Sequence, residues 1–377
     1  MNLKSPYNFK EANLGADFAK DKVRDFQGLI NADQSFTVVS MPGVGVSYFL
    51  KYLSVQNFAH FIHIDLYSLP TLSQHEFYRM FLRDLGANPD GKTDEQTFIE
   101  SKEILKKLAL KNEKVVIIFS RFDQLKKDLD ENFLSNLQGL TNIENGKIVL
   151  IFTSIKPLYE IAPDAVTGGN LSFYSKLLYF RPYSTKDLEA LFSLDHTKKA
   201  HPNLDEMIKL SGGHNQLLHV FINSHKKNNL LLDKFVTLQL RDLFSYLDYS
   251  QKKDVQKIAL GKIPREVDEY LLESGYIIPT KDDYKLFSPI LQDYIKLNIP
   301  HKLAVKEKAL FNLLRKNTNN VITKDEIFKE VWGANQENAT DWALDALIYR
   351  LRNHPFMKSH NFVIESHKKV GFSLIQT

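Results

Sequence analysis

The stretch "TVVSMPGVGVSYFLKYL", residues 37–53, does most to limit what this chain can become. An apolar, β-branched run leads into a glycine-rich turn and then into a helical pattern. The order strand, glycine turn, helix places backbone N–H groups at a helix N-terminus, where they can surround an anion. The spacing is close to the phosphate-cradling pattern G-x-x-x-x-G-K-[ST]. Gly43 and Gly45 permit the tight turn, and Ser47 sits where a Mg²⁺-binding hydroxyl belongs. Two positions depart: Ser40 stands at the first glycine and Val46 at the lysine. Val46 cannot supply the ammonium that would reach a β- or γ-phosphate.

The segments that follow repeat the alternation. "HFIHIDL", "KVVIIF", "KIVLIFTS" and "LLYFRPYS" read as strands, with helical patterns such as "SQHEFYRMFLRDLG" and "DEQTFIESKEILKKLAL" between them. Continuous β-branched runs of this kind are buried on both faces. Strands alternating with helices of this length imply a parallel sheet covered on both sides. The expectation is an α/β domain over 1–189, a helical subdomain over 190–235, and two winged helices over 236–300 and 301–377.

Other classes fall away. The chain has 377 residues and no cysteine, which excludes disulfides and cysteine-ligated zinc. "MNLKSPYNFKEANLG" carries no apolar run, so no signal peptide is expected. No segment reaches the roughly 18 uninterrupted apolar residues of a membrane helix. The expected location is the cytoplasm, with no membrane partner. His60, His63 and Asp65 lie along one expected strand, but no metal-ligand pattern or catalytic triad accompanies them, and no metal is expected.

The second half of a nucleotide site should be an acidic pair at the end of a buried strand. In "KVVIIFSRFDQL" that pair is Ser120 and Arg121, and only Asp123 remains acidic nearby. Taken with "RPYSTKDLEALF" and "SGGHNQLL", these pieces resemble the STAND and archaeal-type ATPases, relatives of the AAA+ and origin-recognition ATPases, over residues 1–298. The resemblance implies a P-loop fold with weak or vestigial nucleotide contacts at Gly43, Gly45, Val46, Ser47 and Asp123. In that family a Gly-x-Pro often stands at "GGHNQLL", where this chain has Asn215. ATP or ADP binding stays possible on this reading. Hydrolysis is not expected, and no catalytic residue is assigned.

The last segment has its own signature. "LAVKEKALFNLLRKNTNNVITKDEIFKEVWG" reads as two helices, the second opened by Thr323 with Glu326 three places on, a capping box. "DWALDALIYRLRN" is a third helix with an inward stripe of Leu344, Leu347, Ile348 and Leu351. "FVIESHKKVGFSLI" reads as a hairpin around a basic turn. From residue 301 onward there are 12 Lys and Arg against 8 Asp and Glu, while the rest of the chain nets to zero. That excess suits an anionic partner such as DNA.

These pieces resemble the OmpR/PhoB-type winged helix of response regulators. The resemblance implies a third helix in the major groove and a wing on the minor groove of double-stranded DNA. Carried over by position, it implies DNA contacts at Trp342, Tyr349, Arg350, Arg352 and Asn353, and at His367, Lys368 and Lys369. It also implies a loop, 333–340, that often touches RNA polymerase. The small sheet that the family normally has before its first helix is expected to be absent here or replaced. The function expected is a DNA-binding transcriptional regulator whose ATPase-like module is catalytically degenerate and serves for sensing or oligomerisation. Two alternatives stay open: a divergent active ATPase with a lysine from elsewhere, and a winged-helix module that binds protein.

Overall fold

The structure is a computed structural model. It describes residues 9–112, 114–195, 203–226, 229–281, 283–298, 303–333, 339–354, 356–357, 362–368 and 370–376. The chain divides into two compact units, 1–291 and 292–377.

The first unit is built on a five-stranded parallel sheet. Its strands are β1 (Phe36–Ser40), β2 (His60–Asp65), β3 (Val115–Ser120), β4 (Ile148–Ser154) and β5 (Leu177–Phe180). Their order in space is β2-β3-β4-β1-β5. Every residue of β1, β3 and β4 is buried, as continuous apolar runs require of strands covered on both faces. β2 lies at one edge, with Phe61, Ile62 and Ile64 buried and His60 and Asp65 partly exposed. The helices on this sheet are α1 (Lys20–Asn31), α2 (Val46–Ser54), α3 (Gln74–Asp84), α4 (Asp94–Lys111), α5 (Glu131–Gly139), α6 (Leu158–Ile161) and α7 (Gly168–Tyr174). Much of the core is aromatic. Phe77, Phe119, Phe122, Phe133 and Phe152 are fully buried, with ring centroids 4.7–6.4 Å apart along the cluster. Such pairs add about 0.5–1.5 kcal/mol each beyond the area they bury.

Helices α8 (Thr185–Asp195), α9 (Leu204–Ser211), α10 (Asn215–Asn223) and α11 (Lys234–Ser245) follow. Next come α12 (Tyr249–Ala259), α13 (Glu269–Glu273), a hairpin of β6 (Ile277–Pro279) and β7 (Tyr284–Leu286), and α14 (Pro289–Asn298). The segment read as a first winged helix is thus helices and a two-stranded hairpin.

The second unit contains α15 (Val305–Lys316), β8 (Ile322–Thr323), α16 (Lys324–Trp332), α17 (Asp341–Asn353), β9 (Phe362–His367) and β10 (Gly371–Gln376). Its sheet runs β8-β10-β9, all antiparallel. Leu310 and Leu314 of α15, Ile327 of α16, and Leu344, Leu347 and Leu351 of α17 close on Ile364 and Leu374 of the hairpin. The Thr323–Glu326 capping box forms at the start of α16. Between α14 and α15 the described residues form no strand; residues 299–302, where the family's small sheet was expected to be absent or replaced, lie outside the described residues.

Candidate functional site

In open α/β sheets ligands bind beyond the carboxyl ends of the strands, where the connections diverge. A cleft of ≈ 600 Å³ opens there. It is lined by the turn after β1, the segments after β3 and β4, and by Asn215, Gln216 and His219 of α10. The structure therefore brings Gly43, Gly45, Val46, Ser47 and Asp123 together in one cleft. Gly43 has φ +75° and Gly45 φ +108°, so the turn has the left-handed geometry that glycine allows. Gly45 caps α2, whose first N–H groups have no partner within the helix.

The turn is held from outside by the segment before and within α10. His214 Nε2 lies 2.8 Å from the Pro42 carbonyl. The Gln216 N–H donates to the Gly43 carbonyl at 3.1 Å and the Asn215 N–H to that of Val44 at 3.4 Å. The Tyr183 hydroxyl donates to the Gly45 carbonyl at 2.8 Å. Four consecutive carbonyls are thus engaged. Asn215 is the first residue of α10, a place where proline is common because its N–H is not needed there. Here that N–H is used, which gives a physical reason for the departure from Gly-x-Pro. A Cβ on Gly43 would collide with the side chain of Gln216, so that amide rests directly against the turn.

The acidic half of the site is thin. Ser120 is buried, and its hydroxyl lies 2.7 Å from His63 Nε2. Burial holds His63 down at about 4, so it is neutral at pH 7. The Arg121 backbone is left-handed at φ +60°, its N–H donates to Thr153 Oγ1 at 2.7 Å, and its guanidinium donates to Asp65 at 3.1 Å and lies over the Tyr67 ring. Asp123 is buried, which pushes its carboxyl up to about 6. Among the described residues it is the one carboxylate lining the cleft. The loop and Ser47 suit a phosphate. Among its described residues the cleft carries one carboxylate, Asp123, and the aliphatic Val46 where a lysine would stand. Lys126 also lines the cleft, on a backbone kink at φ +31°, and sequence spacing gave no sign of it.

The helix–wing unit presents a second site. Trp342 is 81% exposed and Tyr349 69% exposed. Seven residues apart, they fall on one stripe of α17. Arg350 is exposed, with Nε 3.8 Å from Glu307 of α15. Arg352 does not project freely: its Nε donates to the Ile364 carbonyl at 3.0 Å and its terminal nitrogen to Ser366 Oγ at 2.6 Å. It clamps α17 to β9. The Asn353 amide donates to the Tyr349 carbonyl at 2.9 Å, one turn back. In the wing, His367 Nε2 lies 2.8 Å from Ser373 Oγ, and Lys368 is exposed at the turn. Lys369 lies outside the described residues, as does 334–338, most of the loop 333–340. Asp345, Ser366 and Lys324 join Tyr349, Arg352 and Lys368 around a shallow cavity of ≈ 370 Å³, and sequence reasoning did not single those three out. Among the described residues no helix is long and apolar enough to cross a membrane.

Residues 299–374 match the family of transcriptional regulatory proteins, C terminal. No curated protein matches the sequence. Among solved structures, the Walker-type ATPase of Pyrococcus abyssi is similar at 15% identity, over 77% of this chain and 98% of that one, with a TM-score of 0.51. Cdc6p of Pyrobaculum aerophilum is similar at 12% identity over 98% and 91%, with a TM-score of 0.41. The ORC1 protein of Aeropyrum pernix, in complex with DNA, is similar at 9% over 95% and 88%, at 0.40. The last two are not close enough to bear on the fold. The first unit has the P-loop ATPase fold, and the chain ends in a winged-helix domain of the transcriptional-regulator type.

Proposed function

We propose that this chain is a DNA-binding transcriptional regulator, in which the ATPase-like module is catalytically degenerate and serves as a sensing or oligomerisation scaffold. The observation that carries the first part is the helix–wing pair: α17 packs through one stripe and leaves the opposite one exposed, beside a wing tipped by Lys368. A helix so divided can dock and read bases at once. Lysine at the turn supplies phosphate contacts. The match of 299–374 supports the same assignment. Double-stranded DNA is the partner; RNA polymerase, through the loop 333–340, and a second copy of the chain are further proposed partners.

Degeneracy is supported by chemistry. Val46 brings no charge, Ser120 is engaged with His63 and Arg121 with Asp65. Losing such electrostatic groups typically costs several kcal/mol of transition-state stabilisation. One observation favours a second reading, a divergent active ATPase: Lys126 lines the cleft and could bring the missing cation. ATP turnover by the purified protein separates the two. Background turnover agrees with the scaffold; turnover near one per second that vanishes in both Ser47→Ala and Lys126→Ala would establish the enzyme.

A further inference from the structure

The face that α17 offers to a partner is aromatic rather than cationic. Of its two arginines, Arg352 is held by the Ile364 carbonyl and Ser366 hydroxyl, and Arg350, its Nε 3.8 Å from Glu307, lies about 100° round the helix from Tyr349, off the aromatic stripe. Trp342 and Tyr349, by contrast, have no ring partner among the described residues and stand 81% and 69% exposed on one stripe. Between them on that face is exposed Asp345. A carboxylate there would be repelled by phosphate, so this stripe suits the base edges of a groove and not the backbone. In the major groove the apolar feature that marks a base pair is the C5-methyl group of thymine.

We propose that the helix α17 recognises thymine, through contact of the Trp342 and Tyr349 rings with C5-methyl groups, and that this contact and not arginine–guanine pairing is its main source of sequence preference. The proposal rests on the DNA-binding reading and narrows it. Lys368 and the basic excess of residues 301–377 hold the duplex without regard to sequence. The rings then discriminate by burying a methyl group.

The test uses the full chain. A preferred duplex is first selected from a randomised library. Each of its thymines is then replaced by deoxyuridine, which removes the methyl group and nothing else. One or two positions should each lose about fourfold in affinity, the worth of one buried methyl or methylene. Trp342→Ala and Tyr349→Ala should each abolish the loss at one position, and Tyr349→Phe should keep it, because the ring and not the hydroxyl makes the contact. Both rings are exposed, so neither alanine variant should lower the stability of the C-terminal unit in thermal unfolding, and a lost preference is then not a lost fold. Equal affinity for thymine and uracil duplexes, with the selected preference intact, would overturn the proposal; so would a loss that persists in both alanine variants. A chain that retains no duplex at any salt would remove the DNA-binding reading itself, and the proposal with it.

Discussion

His214 offers a sharp test of how the glycine turn is held. Its side chain is fully buried and stacks near the Phe287 ring. Nδ1 accepts the Leu217 N–H at 3.2 Å, capping α10, while Nε2 faces the Pro42 carbonyl at 2.8 Å. Only the neutral ring protonated on Nε2 satisfies both partners. A second proton on Nδ1 would set donor against donor and place a charge in the core. Burial accordingly lowers its pKa from 6.5 to about 4. At about 1.4 kcal/mol per pH unit, that gap comes to about 3 kcal/mol. The folded pKa lies below the unfolded one, so the unfolded state binds the extra proton. Stability is therefore full above about pH 6.5 and falls as the pH drops toward 4. His63 acts with the same sign, whereas Asp123, raised to about 6, acts with the opposite sign between about pH 4 and 6. The difference between wild type and His214→Gln isolates the one group. Imidazole NMR of histidine-labelled protein should show a resonance, absent in the variant, that does not titrate in the native state above about pH 5. A native His214 midpoint near 6.5 would refute the neutral, doubly bonded ring that holds the Pro42 carbonyl.

Three further outcomes are expected. Gly213→Ala should destabilise the first unit by about 2–4 kcal/mol in chemical denaturation, because φ is +86° and the new Cβ would meet the Tyr183 carbonyl, displacing a backbone hydrogen bond as well as straining the turn. Arg352→Ala should lower the stability of the C-terminal unit by about 1–3 kcal/mol, while Arg350→Ala, whose ion pair is long and whose guanidinium is largely exposed, should leave it within about 0.5 kcal/mol; equal losses in thermal unfolding would contradict the clamp. Val46→Lys alone should leave ATP turnover at background in a phosphate-release assay, since the acidic pair is absent too.

Much of this was legible in the sequence. The buried runs of β1, β3 and β4 and the glycine turn before α2 are local patterns, and burial on both faces leaves no alternative to a covered parallel sheet. The Thr323–Glu326 box and the inward stripe of α17 are set by spacing alone. What spacing could not show is which groups meet across distance. Arg352 is eight residues from Leu344, about 80° round the helix, so it borders the core and its fate depends on where β9 passes. Nothing near Asn215 says that its N–H reaches Val44, and Lys126 enters the cleft only through a backbone kink. Asp345, three residues from Trp342, was hidden because an acid on a DNA-facing stripe runs against the charge argument.

The central claim, a DNA-binding regulator built on a non-catalytic ATPase fold, is tested most directly by a genome-wide binding map of the tagged chain, wild type beside a version ending at residue 298. Discrete peaks sharing one sequence pattern are expected, unchanged by Ser47→Ala and gone from the truncated chain. No enrichment above background in wild type, or peaks that survive removal of residues 299–377, would contradict it.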